Sequence, residues 1–215
     1  MYQPPHFRED RLEVQHALIK AHPLGILVTF GSTGLIANPI PFVVEPAASR
    51  LGTLKAHLSR ANSQWRDYDP AQEALVVFQG PEAYITPSWY AAKREHGKVV
   101  PTWNYAIVQA YGRMTVRDDP DWLREQITAM TGLQEAARPE PWAVNDAPEP
   151  FVAAQLKGIV GVEIEITRIE GKWKVSQNRS EADRMGVMAG LQQSDDDASQ
   201  RMAALVEAQG ALTGG

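Results

Sequence analysis

The pattern that most restricts this chain is the order in which strand-like and helix-like stretches follow one another. Apolar runs of strand length recur along it, whereas helical periodicity is confined to the start, the middle and the end. A doubly wound parallel sheet needs strand and helix to alternate, because each parallel connection must cross the sheet. That alternation is missing. The fold class expected is therefore mostly β with peripheral helices, about seven strands in an antiparallel barrel.

Element by element, a helix is expected over 10–21, with Asp10 and Glu13 spaced as a capping box and Pro23 as its stop. Runs 24–30 and 35–44 flank Gly31-Ser32-Thr33-Gly34 and read as a hairpin, whose second strand carries Pro39 and Pro41 and so belongs at an edge or a bulge. A third strand covers 51–58, followed by a short helix or turn over 59–68 with Ser59 as N-cap. Strand material at 74–79 and 83–85 brackets Gly80-Pro81, a brief helix fits 88–96, and 103–117 returns to strand. Asp119-Pro120 is a helix start, with Asp as N-cap and Pro at the first position. A Pro-rich loop at 138–150 leads to a short helix over 152–157. Segments 159–169 and 172–177 read as a hairpin turned at Glu170-Gly171, Ser180 caps a helix to about 192, and a last helix fits 198–208. The division expected is a barrel domain over 1–192 and a helical tail over 193–215 that frays at its end.

Composition sets the class of molecule. The 215 residues include 44% hydrophobic and 22% charged residues, ordinary for a folded chain with one sizeable core. A net charge of -5 disfavours a protein whose main task is gripping DNA phosphates. Cysteine is absent, which excludes thiolate metal sites and thiol catalysis. The N-terminus lacks a basic start followed by an apolar stretch, and no segment has the length of a membrane span, so a cytoplasmic protein is expected.

Two segments concentrate the chemistry. Tyr84-Ile85-Thr86-Pro87-Ser88-Trp89-Tyr90 and Val99-Val100-Pro101-Thr102-Trp103-Asn104-Tyr105 each bring a Pro, a hydroxyl residue and a Trp to the end of an apolar run. Aromatic surface beside hydrogen-bonding groups suits a flat ligand with a polar rim, and a flavin is the leading candidate. No glycine-rich phosphate loop of the GxGxxG or GxxxxGK type is present, so phosphate recognition rests on side chains. The stretch 55–65 supplies His57, Arg60 and Asn62 at a strand-to-helix junction, where Arg60 has the fork to hold phosphate oxygens or to pair with Asp67 or Asp69. Gln177 and Asn178, after the last strand, fit either a flavin edge or a turn. Neither GxSxG nor HExxH occurs, and no metal-ligand spacing is visible.

The ordered set Asn38-Pro39-Ile40-Pro41-Phe42, 57–65, 84–90, 100–105 and Ser176-Gln177-Asn178-Arg179 with Asp183-Arg184 resembles the PaiB family over roughly residues 1–190. That family is similar to the flavin-binding split barrels related to pyridoxamine phosphate oxidases, and its members are described as FMN-binding negative transcriptional regulators. The resemblance implies a homodimer with FMN at the subunit interface. Carried over by motif, His57, Arg60 and Asn62 lie near the phosphate and ribityl chain, Thr86, Ser88 and Trp89 near the ring, Trp103 and Asn104 beside them, and Gln177 and Arg179 close the site.

Three functions follow. The first is a regulator acting through flavin binding, with any contact to DNA indirect, because no pair of helices joined by a tight turn is visible. The second is an FMN-dependent oxidoreductase on a small molecule. The third is a haem-binding split barrel with His57 or His96 as axial ligand.

Overall fold

The computed structural model describes the backbone of residues 1–213 and the side chains of 1–209. The fraying expected at the very terminus falls on 214–215, outside the described residues. The chain divides by contacts into two compact units. Unit I comprises Leu12–Phe78 and Gln109–Ile169, and unit II comprises Met1–Arg11, Gln79–Val108 and the chain from Glu170 onward.

In chain order the elements are β1 (Arg8–Glu9), α1 (Leu12–Ala21), β2 (Leu24–Gly31), β3 (Gly34–Pro41), β4 (Val43–Glu45), β5 (Thr53–Ser59), β6 (Ala74–Ile85), α2 (Ala91–Glu95), β7 (Thr102–Arg117), α3 (Pro120–Glu135), α4 (Glu149–Leu156), β8 (Ile159–Lys174), α5 (Glu181–Gln192) and α6 (Asp197–Thr213). The strands form an eight-stranded sheet ordered β3-β2-β6-β7-β8-β5-β4, with β1 added on β8. Pairings with a defined register are antiparallel. The fold is thus mostly β with peripheral helices, as the order of elements required.

Unit I owes its sheet to the β2–β3 hairpin, closed by Ser32-Thr33 in the register Phe30 to Leu35 and Leu24 to Pro41. β3 lies at the end of the strand order, where Pro39 and Pro41 leave no neighbour without a donor. Leu27, Leu54, Val76 and Phe78 are fully buried and form core on the inner face. A satellite cluster of Leu123, Val144, Val152 and Leu156 seats α3 and α4. Asp119 caps α3 as expected, its carboxylate accepting from the amides of Asp121 and Trp122. Leu123 and Gln126 are the buried residues of that helix, while Ile127 only packs against the cluster.

In unit II, β1 pairs with the far end of β8, Arg8 opposite Lys172 and Glu9 opposite Gly171. This pairing corrects the hairpin expected at Glu170-Gly171: β8 runs through both residues without turning. A strand from the other end of the chain supplies hydrogen-bond partners, so Gly171 serves as flat strand rather than as a turn. In the same way β6 runs unbroken through Gly80-Pro81. Ser180 caps α5 as expected, α5 and α6 pack together, and α6 buries Met202, Ala203 and Val206.

Candidate functional site

His57, Arg60 and Asn62 lie in unit I. His57, on β5, is half-buried and lies 2.7 Å from Oε1 of Gln126 through its Nδ1; a carboxamide oxygen only accepts, so Nδ1 carries the proton. Gln126 is 3% exposed and its Nε2 has no hydrogen-bond partner among the described residues. Arg60 pairs with a different carboxylate from those considered in the sequence. Its Nη1 and Nη2 fork onto Asp118, Nε donates to the carbonyl of Lys157, and Nη2 also donates to that of Ile159. The Arg60 guanidinium in turn holds the Asp118 carboxyl below the usual carboxylate range. With those donors committed inside the protein, Arg60 is a clasp between segments of unit I rather than an open anion fork. Asn62, and not Ser59, caps the short 3-10 turn Ser63–Trp65, because β5 extends through Ser59. The residue that this motif positions most firmly is Gln64. Fully buried, it donates from Nε2 to the Leu27 and Ile36 carbonyls and Thr29 Oγ1, and its Oε1 accepts from Asn38.

The other candidates lie in unit II. Thr86 caps the 3-10 turn Pro87–Trp89, its hydroxyl accepting from the Ser88 amide. Ser88 is exposed and accepts from Lys93 Nζ at 3.0 Å. Trp89 rests on α5 at Gly186 and Gly190: a Cβ at Gly190 would lie 2.3 Å from the indole, and one at Gly186 2.0 Å from the Trp89 carbonyl oxygen. One indole face is therefore covered by α5, which also holds this segment through Asp183, acceptor for the Ala92 amide. Trp103 is 54% exposed and meets Tyr84, 49% exposed, edge to face at 5.9 Å. Asn104 is 1% exposed and donates to Ser176 Oγ. That bond anchors Ser176, whose φ of 65° is the one positive value at a non-glycine residue among the described residues. Gln177 closes the same turn, accepting from the Val175 amide and donating to the Trp173 carbonyl. Asn104 and Gln177 thus shape the strand end rather than face outward. Arg179 lies over the Tyr90 ring at 4.7 Å, and burial pushes the Tyr90 hydroxyl pKa up.

Two residues missed in the sequence complete this group. Lys174 donates to Thr102 Oγ1 and to the Trp103 carbonyl, and Lys172 lies over Tyr2 and Tyr105 at 5.5 and 5.3 Å. Burial, then the charges of Lys172 and Arg179, hold the Lys174 ammonium pKa below the ordinary lysine value. Among the described residues, no carboxylate makes an ion pair with any of these three cations. A readable signal existed, since Lys172 and Lys174 are two apart on a strand and so share a face. Reading a turn at Glu170-Gly171 concealed it. Clustered, unneutralised cations beside exposed Trp103 and Tyr84 have the chemistry that a phosphate-bearing aromatic group requires.

The fold is that of a split barrel, and comparison with known proteins gives its family. Residues 1–168 match a family described as "Putative FMN-binding domain". The chain is 34% identical over 207 residues to the protease synthase and sporulation protein PAI 2 of Bacillus subtilis, covering 96% of this chain and 97% of that protein. The chain belongs to this FMN-binding-domain family of PaiB-type proteins. Among solved structures, a conserved hypothetical protein of Mycobacterium tuberculosis is similar with a TM-score of 0.58 at 12% identity, covering 84% of this chain and 95% of that one. The flavocytochrome Anf3 of Azotobacter vinelandii gives a TM-score of 0.56 at 14% identity, covering 78% and 69%. At such identities these two likenesses concern the fold.

Proposed function

We propose that this chain is a cytoplasmic FMN-binding protein of the PaiB type that acts as a homodimeric regulator through its flavin. The observation carrying the flavin reading is the group of Lys172, Lys174 and Arg179, charged, adjacent and without carboxylate partners among the described residues, next to the Trp103–Tyr84 pair. In this reading the cations hold the phosphate, and Thr86, Ser88 and the aromatic pair border the ring. Bound FMN supplies an electron acceptor and donor. The chain itself supplies charge neutralisation and a fixed ring edge. The B. subtilis relative's name, which couples it to protease synthesis and sporulation, favours regulation over turnover of a small molecule.

Direct reading of DNA is not part of the proposal. α5 and α6 are joined by only four residues, a tighter connection than the sequence suggested. That helical hairpin carries Asp195, Asp196 and Asp197 around its turn, with Arg184 and Arg201 as its arginines. Such an acidic element repels phosphates.

Support for the dimer comes from unit I. The outward residues of β2 are Leu24, Ile26, Val28 and Phe30, all of them apolar. Their partners on β3 are Pro41, Pro39, Ala37 and Leu35, and Val77 and Leu75 of β6 lie across from Ile26 and Val28. A contiguous apolar face on three strands suits a second copy of the same face. The test of the whole reading is the purified protein. It should be yellow, release FMN on denaturation and sediment at about twice the 23.8 kDa chain mass; a colourless monomer that ignores added FMN would overturn it.

A further inference from the structure

Unit I holds a cavity of about 540 Å³ between the first turns of α3 and the outer side of α4, within the range of small-molecule sites. None of the residues assigned to the flavin in the proposed function lines it. Leu123 and Leu156, both buried, form its apolar floor together with Ala153 and Pro120. Its rim alternates in charge. Arg60 is locked on Asp118, and Arg124 on α3 reaches Glu149 on α4 at 2.5 Å. Those two pairs are complete in themselves. Two charged rim residues are left, Asp121 and Lys157, and neither side chain has an ion-pair partner among the described residues.

The geometry points to a binding site for a small zwitterion with an apolar body, the chemistry of an apolar α-amino acid. Its ammonium meets Asp121, its carboxylate meets Lys157, and its side chain covers Leu123 and Leu156. A polyanion is disfavoured because the rim carries as many carboxylates as cations. A purely apolar ligand would bury Asp121 and Lys157 unpaired. This site goes beyond the flavin reading and does not depend on it.

Calorimetric titration of the purified full chain tests the assignment, with L-leucine, with isoamylamine lacking the carboxylate, and with isovalerate lacking the ammonium. Leucine is expected to bind with a Kd of about 1 mM or tighter, and each single-charge analogue about tenfold or more weakly. Lys157→Glu and Ala153→Trp, both at exposed positions, should each weaken leucine by about tenfold or more while FMN titrates as in the parent protein. Absence of leucine binding, equal affinity for the amine alone, unchanged binding in both variants, or loss of FMN along with leucine would each overturn the inference.

Discussion

Arg60 in unit I and Lys174 in unit II are both cations at strand ends, and they have opposite surroundings. Arg60 sits in a fork of Asp118 and two backbone carbonyls, so its charge is answered within the chain. Lys174 has a hydroxyl and a carbonyl for its protons, with Lys172 and Arg179 adding repulsion. The difference separates a cation that holds structure from one that awaits an anion. Position in the sequence does not reveal it, since the strand-to-helix junction at 57–65 has the form of an anion site and yet its arginine is paired.

The largest expected effect lies on the structural side of that contrast. Gln64→Leu removes the hub that answers Leu27, Ile36, Thr29 and Asn38, leaving several buried polar groups unpaired. It should destabilise the protein by about 3–5 kcal/mol in denaturant unfolding. A loss under about 1 kcal/mol would show that the network is replaceable.

Gly190→Ala comes next. The new Cβ would lie 2.3 Å from the Trp89 indole, so α5 or the Pro87–Trp89 turn must shift, at about 1–3 kcal/mol. Thermal unfolding with and without FMN should show weaker flavin binding as well, because the shifted segment carries Thr86 and Ser88. Unchanged stability would mean that Trp89 is free to move off the helix.

Smaller and graded is the effect of pH. Without ligand, the folded pKa of Lys174 lies below 10.5, so the charged amine opposes folding, and that penalty is relieved as pH rises through the folded value toward 10.5. A bound phosphate would favour the ammonium and raise its pKa again. FMN affinity should therefore decline as pH climbs through the folded value toward 10.5, and Lys174→Gln should flatten the decline. A pH-independent affinity in the parent protein would remove Lys174 from the phosphate.

The smallest effect is expected at Phe30→Glu under native conditions. Fold and melting should change little, since Phe30 is exposed, while sedimentation shifts toward the monomer. A persistent dimer would place the subunit contact elsewhere.

These sites differ in how far the sequence made them legible. Asp119 and Ser180 were readable as caps because a cap is a local bond, formed within three residues. Pro39 and Pro41 marked an edge strand because they lack a donor wherever they sit. Partners distant in the chain defeated the same reasoning. Asp118 is 58 residues from Arg60, and Gly171 pairs as a strand residue with Glu9, far away in the chain. Asn104 stands out in the sequence as a polar residue among aromatics and Gln177 as one that fits either a flavin edge or a turn, and the turn at Ser176 engages both.

The contrast between paired and unpaired cations is tested most directly by titrating FMN into apo-protein carrying either Arg60→Ala or the double change Lys172→Ala and Lys174→Ala. Each charge-assisted contact contributes about 1.5–3 kcal/mol, so the lysine pair should lose about a hundredfold or more in affinity while Arg60→Ala stays near the parent value. Native affinity in the double variant, with a large loss on removing Arg60, would contradict the account.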